Sequence, residues 1–525
     1  MTQRTDGIVA SFSGRWGMIL AMLGMAVGTG NIWRFPRVAA NNGGGSFLIA
    51  WVCFLLLWSV PLIIVEFAMG KSTRYGPVGA FARIMGKKFA WLGGWVALTA
   101  IIIMCYYAVV TGWTIRYVVA AILGQAEQGE PGALWSRFAF TPEVIVYQAI
   151  AFGFGVWVVA RGVRAIEKAT SILIPSLFAL VLILAIRAVT LPGAVDGLNF
   201  LFTPHWSDLA QPRVWLEALT QNAWDTGAGW GLIVCYAVYM RRREDGTVNA
   251  FMLGFGNNTV SLLAGIMVLC TVFSVLPAIA ASAASTPDSL AAFPALADAV
   301  RAGQEVTPEV IRASLVGAGN EGLTFIMVPE LFARMPFGRV FMILFFLALF
   351  FAAWTSLIAM IELAARVLMD GGMQRSRAIG LVSVLGFLAG IPSALDRDIF
   401  NNQDFVWGVA LMLSGLFFAL AVLRYGARRF RETLVNTESA DTRIGAWWDW
   451  AIRFCVIQAL VLIVWWYLEV RGEDPWSAFG VLNMTAQFVI AAIILYILNN
   501  WMVRRTNPDV EREAPPEGET VPSIP

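Results

Sequence analysis

The sequence predicts an all-α integral membrane protein of twelve transmembrane helices, a 5+5 inverted repeat with discontinuous helices 1 and 6 and two extra helices at the end. Three observations carry that expectation. The chain of 525 residues is 58% hydrophobic with only 14% charged residues, where an ordinary soluble domain has about 25% charged. Apolar runs recur along almost its whole length, and a run of roughly 20 residues is enough to cross a bilayer. Two of these runs are interrupted by glycines and polar residues at matching positions of the two halves. The mean hydropathy of +0.69 and the 22 Trp and 35 Phe fit the same surroundings, since aromatic rings collect at bilayer interfaces.

In chain order the twelve spans fall near 15–40, 46–70, 90–123, 143–160, 169–188, 213–240, 247–280, 337–369, 377–394, 399–424, 448–470 and 476–502. Residues 1–14 form a polar N-terminal segment, and no cleavage site follows the first run, so no removable signal peptide is expected. Positive charge sets the orientation, because Lys and Arg accumulate on the cytoplasmic side. Alternate connections carry it: Lys71, Arg74, Arg83, Lys87 and Lys88; then Arg161, Arg164 and Lys168; Arg241, Arg242 and Arg243; Arg375 and Arg377; Arg424, Arg428, Arg429 and Arg431; and Arg504 and Arg505. Both termini are therefore expected in the cytoplasm of a multi-pass protein of the plasma (inner) membrane. Residues 15–188 would make the first repeat and 189–424 the second, with an outer lid of short helices over about 281–336. Residues 425–502 hold spans 11 and 12, and the Pro- and Glu-rich tail 503–525 is expected to be disordered.

Several function classes drop out. The five cysteines lie in apolar runs with no CxxC pair, so they read as small buried hydrophobes rather than metal or redox groups. His205, the single histidine, sits in a polar connection, and no nucleophile–base constellation supports an enzyme. "MGKST" resembles the end of a phosphate-binding loop, but Val65 stands where that motif needs glycine. No nucleic-acid partner is expected.

The interruptions are "LGMAVGTGNIWRFP" (Leu23 to Pro36) and "NAWDTGAGWGL" (Asn222 to Leu232). Unwound backbone at membrane depth is tolerated only where it lines a cavity or is buried in protein. Its freed carbonyls can ligate a small cation, and the positive ends of half-helices can face an anionic group. Paired breaks in corresponding spans therefore point to a transporter with its site at the bilayer midplane. The competing reading is glycines that merely let helices approach closely.

"GRWGMILAMLGMAVGTGNIWRFP", "NNGGGSF", "VEFAMG", "CYY" and "FFAAWTS" resemble the neurotransmitter:sodium symporter family. The likeness is to its bacterial amino-acid transporters of the leucine-transporter fold, and it runs in order through spans 1 to 10. It implies two sodium ions beside the substrate. The second sodium site would use backbone oxygens of Gly24, Val27 and Ala352 and the hydroxyls of Thr355 and Ser356, a neutral oxygen set suited to a monovalent cation. The first would use Ala26, Asn31, Asn257 and Asp225, where relatives usually carry Thr or Ser. The family's chloride site maps to Gln221, Asn257, Ser261, Asp225 and Trp51, the last replacing a tyrosine. A carboxylate at 225 would repel an anion strongly in low dielectric, so chloride is not expected to be required. Asp225 could instead couple a proton or contact a cationic part of the substrate.

The resemblance places the substrate among Ala26, Gly28, Ile103, Tyr107, Trp224, Gly227, Trp230, Ser356 and Met360. Monoamine carriers have an aspartate at the Gly28 position; glycine leaves room for a substrate carboxylate and implies an amino acid or similar small zwitterion. Trp224 and Trp230, standing where phenylalanines are common, suit a bulky apolar or aromatic side chain. Indole faces could equally hold a quaternary ammonium, as in a betaine-like osmolyte carrier, and a sensor that binds without transporting would keep the same pocket. Arg34 and Asp404 match the outer gate, with Tyr107 and Trp230 beneath. Asp370 and Tyr239 match the inner gate, and Arg4 is the nearest counterpart of its N-terminal arginine. Glu66 reads as a helix-packing carboxylate, and spans 11 and 12 could support a homodimer.

Overall fold

Apolar stretches bounded by proline, glycine and charge become helices of nearly the expected extents. A computed structural model describes residues 11–126, 132–241, 243–282, 290, 292–317, 319–438 and 440–512. Among these the chain is helical with no strand. Ten helices are long and apolar enough to cross a membrane, and Arg15–Ala26 with Gly30–Asn41, bent by 56°, makes an eleventh span. Span 6 is a pair of short helices, Pro212–Asp225 and Leu232–Ala237, neither long enough to cross alone. The other spans are Gly45–Thr73, Lys87–Leu123, Pro142–Ala160, Val163–Val189, Gly246–Ala281, Gly338–Asp370, Arg375–Leu395, Arg397–Tyr425, Trp447–Gly472 and Val481–Thr506.

Local chemistry explains the ends. Pro142 and Pro212 open spans 4 and 6 at the first helical position, where a missing N–H does no harm. Asp396 caps span 10 by accepting the Ile399 N–H at 2.9 Å. Arg74 closes span 2 in the left-handed conformation, φ 61°. Spans 11 and 12 keep Trp450, Ile457, Ile490, Ile494 and Ile497 exposed, as lipid-facing helices should. The outer connection carries short helices at Pro294–Arg301, Pro308–Gly317 and Val328–Ala333, while 283–289 lie outside the described residues.

Three glycine contacts fix the spacing around span 6. A Cβ on Gly70 of span 2 would lie 2.3 Å from the Val234 carbonyl oxygen, and one on Gly229 would lie 3.0 Å from the Gly415 Cα. The Trp224 ring fills the notch at Gly408 of span 10, where a Cβ would be 1.8 Å from it.

One expectation needs correction. The segment after 502 does not become a free tail at once: span 12 continues to Thr506, and residues 507–512 are held against the helix ends by hydrogen bonds. Its Pro- and Glu-rich composition concealed polar anchors. Residues 513–525 lie outside the described residues, as do 1–10 and with them Arg4.

Candidate functional site

The first helix of span 1 stops at Ala26, because Val27 turns to an extended conformation with φ −71° and ψ 105°. Helix resumes at Thr29 and passes through a widened turn over Gly30–Arg34. Side chains satisfy the backbone at the restart. Asn31 Oδ1 accepts the Gly28 N–H at 2.8 Å, and Tyr107 Oη accepts the Thr29 N–H at 3.1 Å.

Span 6 unwinds through Gly227, Gly229 and Gly231, with φ of 75°, 87° and 76°, a region cheap only for glycine. Glu66 Oε1 accepts the Gly229 N–H at 2.7 Å. Beyond packing between helices, Glu66 holds this break open from span 2. Glu66→Leu should therefore lower stability by about 1–3 kcal/mol, the penalty for leaving a buried donor unpaired, seen as a lower melting midpoint in detergent.

Between the breaks lies a cavity of about 220 Å³. All nine substrate residues expected from the sequence line it, together with Asn31, Asp225, Arg34 and Asp404. A Cβ on Gly28 would sit 2.9 Å from Tyr107 Oη and 3.2 Å from Ser356 Oγ. The space above the break is thus available to a ligand only because residue 28 has no side chain.

Behind Ser356, which lines the cavity, acceptors crowd together. Ser356 Oγ lies 3.4 Å from the Gly24 carbonyl oxygen, 3.3 Å from those of Met25 and Val27, and 3.2 Å from that of Ala352. Thr355 Oγ1 lies 3.2 Å from the same Ala352 oxygen. One hydroxyl hydrogen satisfies one acceptor; the surplus is what a small cation would use. Gly24, Val27, Ala352, Thr355 and Ser356 are thus neighbours.

At the other corner a chain of hydrogen bonds runs between the breaks. Arg34 donates to Gln221 Oε1 at 3.2 Å, and Gln221 donates to Asp225 Oδ2 at 3.0 Å. Ser261 donates to the same oxygen at 3.2 Å and accepts from Asn31 Nδ2 at 2.8 Å, while Asn31 Nδ2 also reaches Asn257 Oδ1 at 3.0 Å. Asp225 Oδ1 is buried with no hydrogen-bond partner among the described residues. A bare carboxylate oxygen at this depth is costly unless a cation meets it. Trp51 contributes its carbonyl to Asn222 at 2.9 Å, and its ring packs 4.7 Å from that of Phe35.

The gates differ from the simple pairs. Arg34 and Asp404 line the same cavity without an ion pair within 4.0 Å; Arg34 instead bonds Gln221 and lies 5.5 Å over the Trp224 ring. On the opposite side, Tyr239 does not bond Asp370. Its hydroxyl donates to Glu362 Oε1 at 2.5 Å, and Arg375 grips that carboxylate at 3.1 and 2.5 Å. Asp370 meets Arg366 at 3.0 Å and Arg512 at 2.5 Å. Arg375 reads from the sequence only as a charge of the cytoplasmic side, and Glu362 and Arg512 do not stand out there; a lone carboxylate in the apolar "LIAMIELAARV" was the available signal for Glu362.

Two helix breaks facing each other across a mainly apolar cavity with polar groups at its corners are the architecture of a secondary transporter. The model of the sodium:neurotransmitter symporter family matches residues 10–136 and 139–501, and the chain belongs to that family. An uncharacterised sodium-dependent transporter of Bacillus subtilis (strain 168) is 29% identical over 85% of this chain and 95% of its own length. A human sodium- and chloride-dependent transporter is 24% identical over 85% of each chain. The crystal structure of MhsT in complex with L-phenylalanine matches 87% of this chain and 99% of its own, with 28% identity and a TM-score of 0.70. The protein is a multi-pass, sodium-dependent membrane transporter with the fold of that structure, and its homologues are transporters rather than enzymes.

Proposed function

We propose that the protein imports an amino acid with a bulky apolar or aromatic side chain together with sodium, by alternating access and without chloride. The observation that carries the reading is the bare backbone at Gly28, facing Tyr107 Oη and Ser356 Oγ across the cavity. A substrate carboxylate fits there, with its side chain directed among Ile103, Trp224, Trp230 and Met360. The resemblance to MhsT, crystallised with L-phenylalanine, supports the aromatic class. Two sodium ions would sit at the Gly24–Ser356 corner and at the Asn31–Asp225 corner. The first repeat would span 15–188 and the second 189–424, with both termini in the cytoplasm.

Proteoliposome uptake tests this directly. Labelled phenylalanine, leucine or tryptophan should accumulate only with an inward sodium gradient. Competition by a panel of amino acids should be strong and competition by betaines weak. Betaines winning that competition would overturn the substrate class, and saturable binding without accumulation would mark a sensor. Ser356→Ala removes the hydroxyl that gathers four carbonyls, and should raise the sodium concentration for half-maximal uptake by about 10-fold, as loss of one charge-assisted contact predicts.

A further inference from the structure

We infer that residues 507–512 form a strap across the inner gate, and that Arg512 is a gating residue for transport, acting on Asp370. This inference rests on the alternating-access reading above. Asn507 ends span 12 in the left-handed conformation, φ 46°, and turns the chain back over the helix ends. The Tyr75 hydroxyl lies 3.0 Å from the Asn507 carbonyl oxygen and 2.9 Å from that of Val510. Asp509 meets Lys87 at 2.5 Å. Arg512 then lies 3.7 Å over the Tyr75 ring and places Nη1 2.5 Å from Asp370 Oδ1 and 3.4 Å from the Arg74 carbonyl oxygen.

That landing point is where separate parts of the protein meet. Asp370 ends span 8 and also accepts the Gly76 N–H at 2.6 Å. Arg74, two residues earlier, donates to the Val238 and Met240 carbonyls at 2.9 and 2.6 Å, holding the end of span 6. Opening this side requires the end of span 6 to leave span 8, so the 74–76 turn must loosen from Asp370. Arg512 grips both the turn and the carboxylate. Apart from buried Pro508 and half-buried Arg512 the strap is exposed, and its anchors are polar. Such a fastening can release and re-form within a transport cycle, whereas a greasy seal would not.

Cys235 reports on the state beneath the strap: it is buried, and its Sγ lies 3.7 Å from a Cβ built on Gly76. The test measures maleimide labelling of Cys235 in full-length protein whose other four cysteines are replaced by serine or alanine. Arg512→Gln should speed labelling about 3- to 10-fold, the range expected for releasing one partly exposed ion pair from a two-state gate. Removal of all residues after Thr506 should do at least as much, and Arg512→Lys should fall between. Lys87→Gln, which leaves Asp370 untouched, should shift labelling the same way and carries the test should the Arg512 variants fail to fold. Sodium should slow labelling in every variant. If sodium protects but Arg512→Gln, Lys87→Gln and the truncation label at the parent rate, the strap is only a surface contact and the inference fails. If sodium does not protect the parent, it is the transport reading that fails instead.

Discussion

Asp225→Ser should cut uptake in chloride-free buffer by about 100-fold, and added chloride should restore much of it. The serine side chain leaves Gln221, Ser261 and Asn31 in place but removes the carboxylate to which Gln221 and Ser261 donate. A cation there would lose its buried counter-charge, a loss of about 3 kcal/mol or more when one partner of a buried pair is removed. Chloride, held by the Gln221 and Ser261 donors, can return that charge. Parent protein whose uptake vanished when gluconate replaced chloride would refute the assignment, as would an Asp225→Ser variant indifferent to the anion.

Gly28→Leu should abolish measurable uptake, with a fall in apparent substrate affinity of at least about 100-fold. Even a single Cβ would come 2.9 Å from Tyr107 Oη, and a leucine would fill the space assigned to the carboxylate. A carboxylate denied that position loses two charged contacts of about 1.5–3 kcal/mol each. A Cβ at 28 would also stand 3.2 Å from Ser356 Oγ, so sodium should raise the melting midpoint of the variant in detergent by less than it raises that of the parent. Retained uptake would mean that the substrate binds elsewhere in the cavity.

The spans were legible because hydrocarbon imposes a length and a composition. The α-helix of span 3 begins at Ala90 as expected, preceded by a single tight turn from Lys87, and most other boundaries shift by only a few residues. Span 12 begins later than its apolar run suggests, since Pro475 and Gly480 shape a turn in which Asp474 accepts the Trp476 N–H at 2.9 Å. The cavity was legible because glycine breaks leave a trace in any apolar run. The ion pairs were not. Arg512 meets a carboxylate 142 residues away, and Glu362 finds Arg375 only after the chain has left one helix and entered the next. Glu66 was visible as a deep carboxylate, but its partner is a backbone N–H of another span, which no residue type announces.

The glycine contacts around span 6 restrict how the machine can move. Gly70 and Gly229 let the backbones pass so close that any side chain there would strike the Val234 carbonyl oxygen or the Gly415 Cα. The Trp224 ring, seated in the Gly408 notch, acts as a key in the same sense. The backbones bear directly on one another at these points, with no side chain between them. Span 2 and the second half of span 6 should therefore swing as one lever, with the glycines as its bearing surfaces and the unwound stretch at Gly227–Gly231 as the flexible joint.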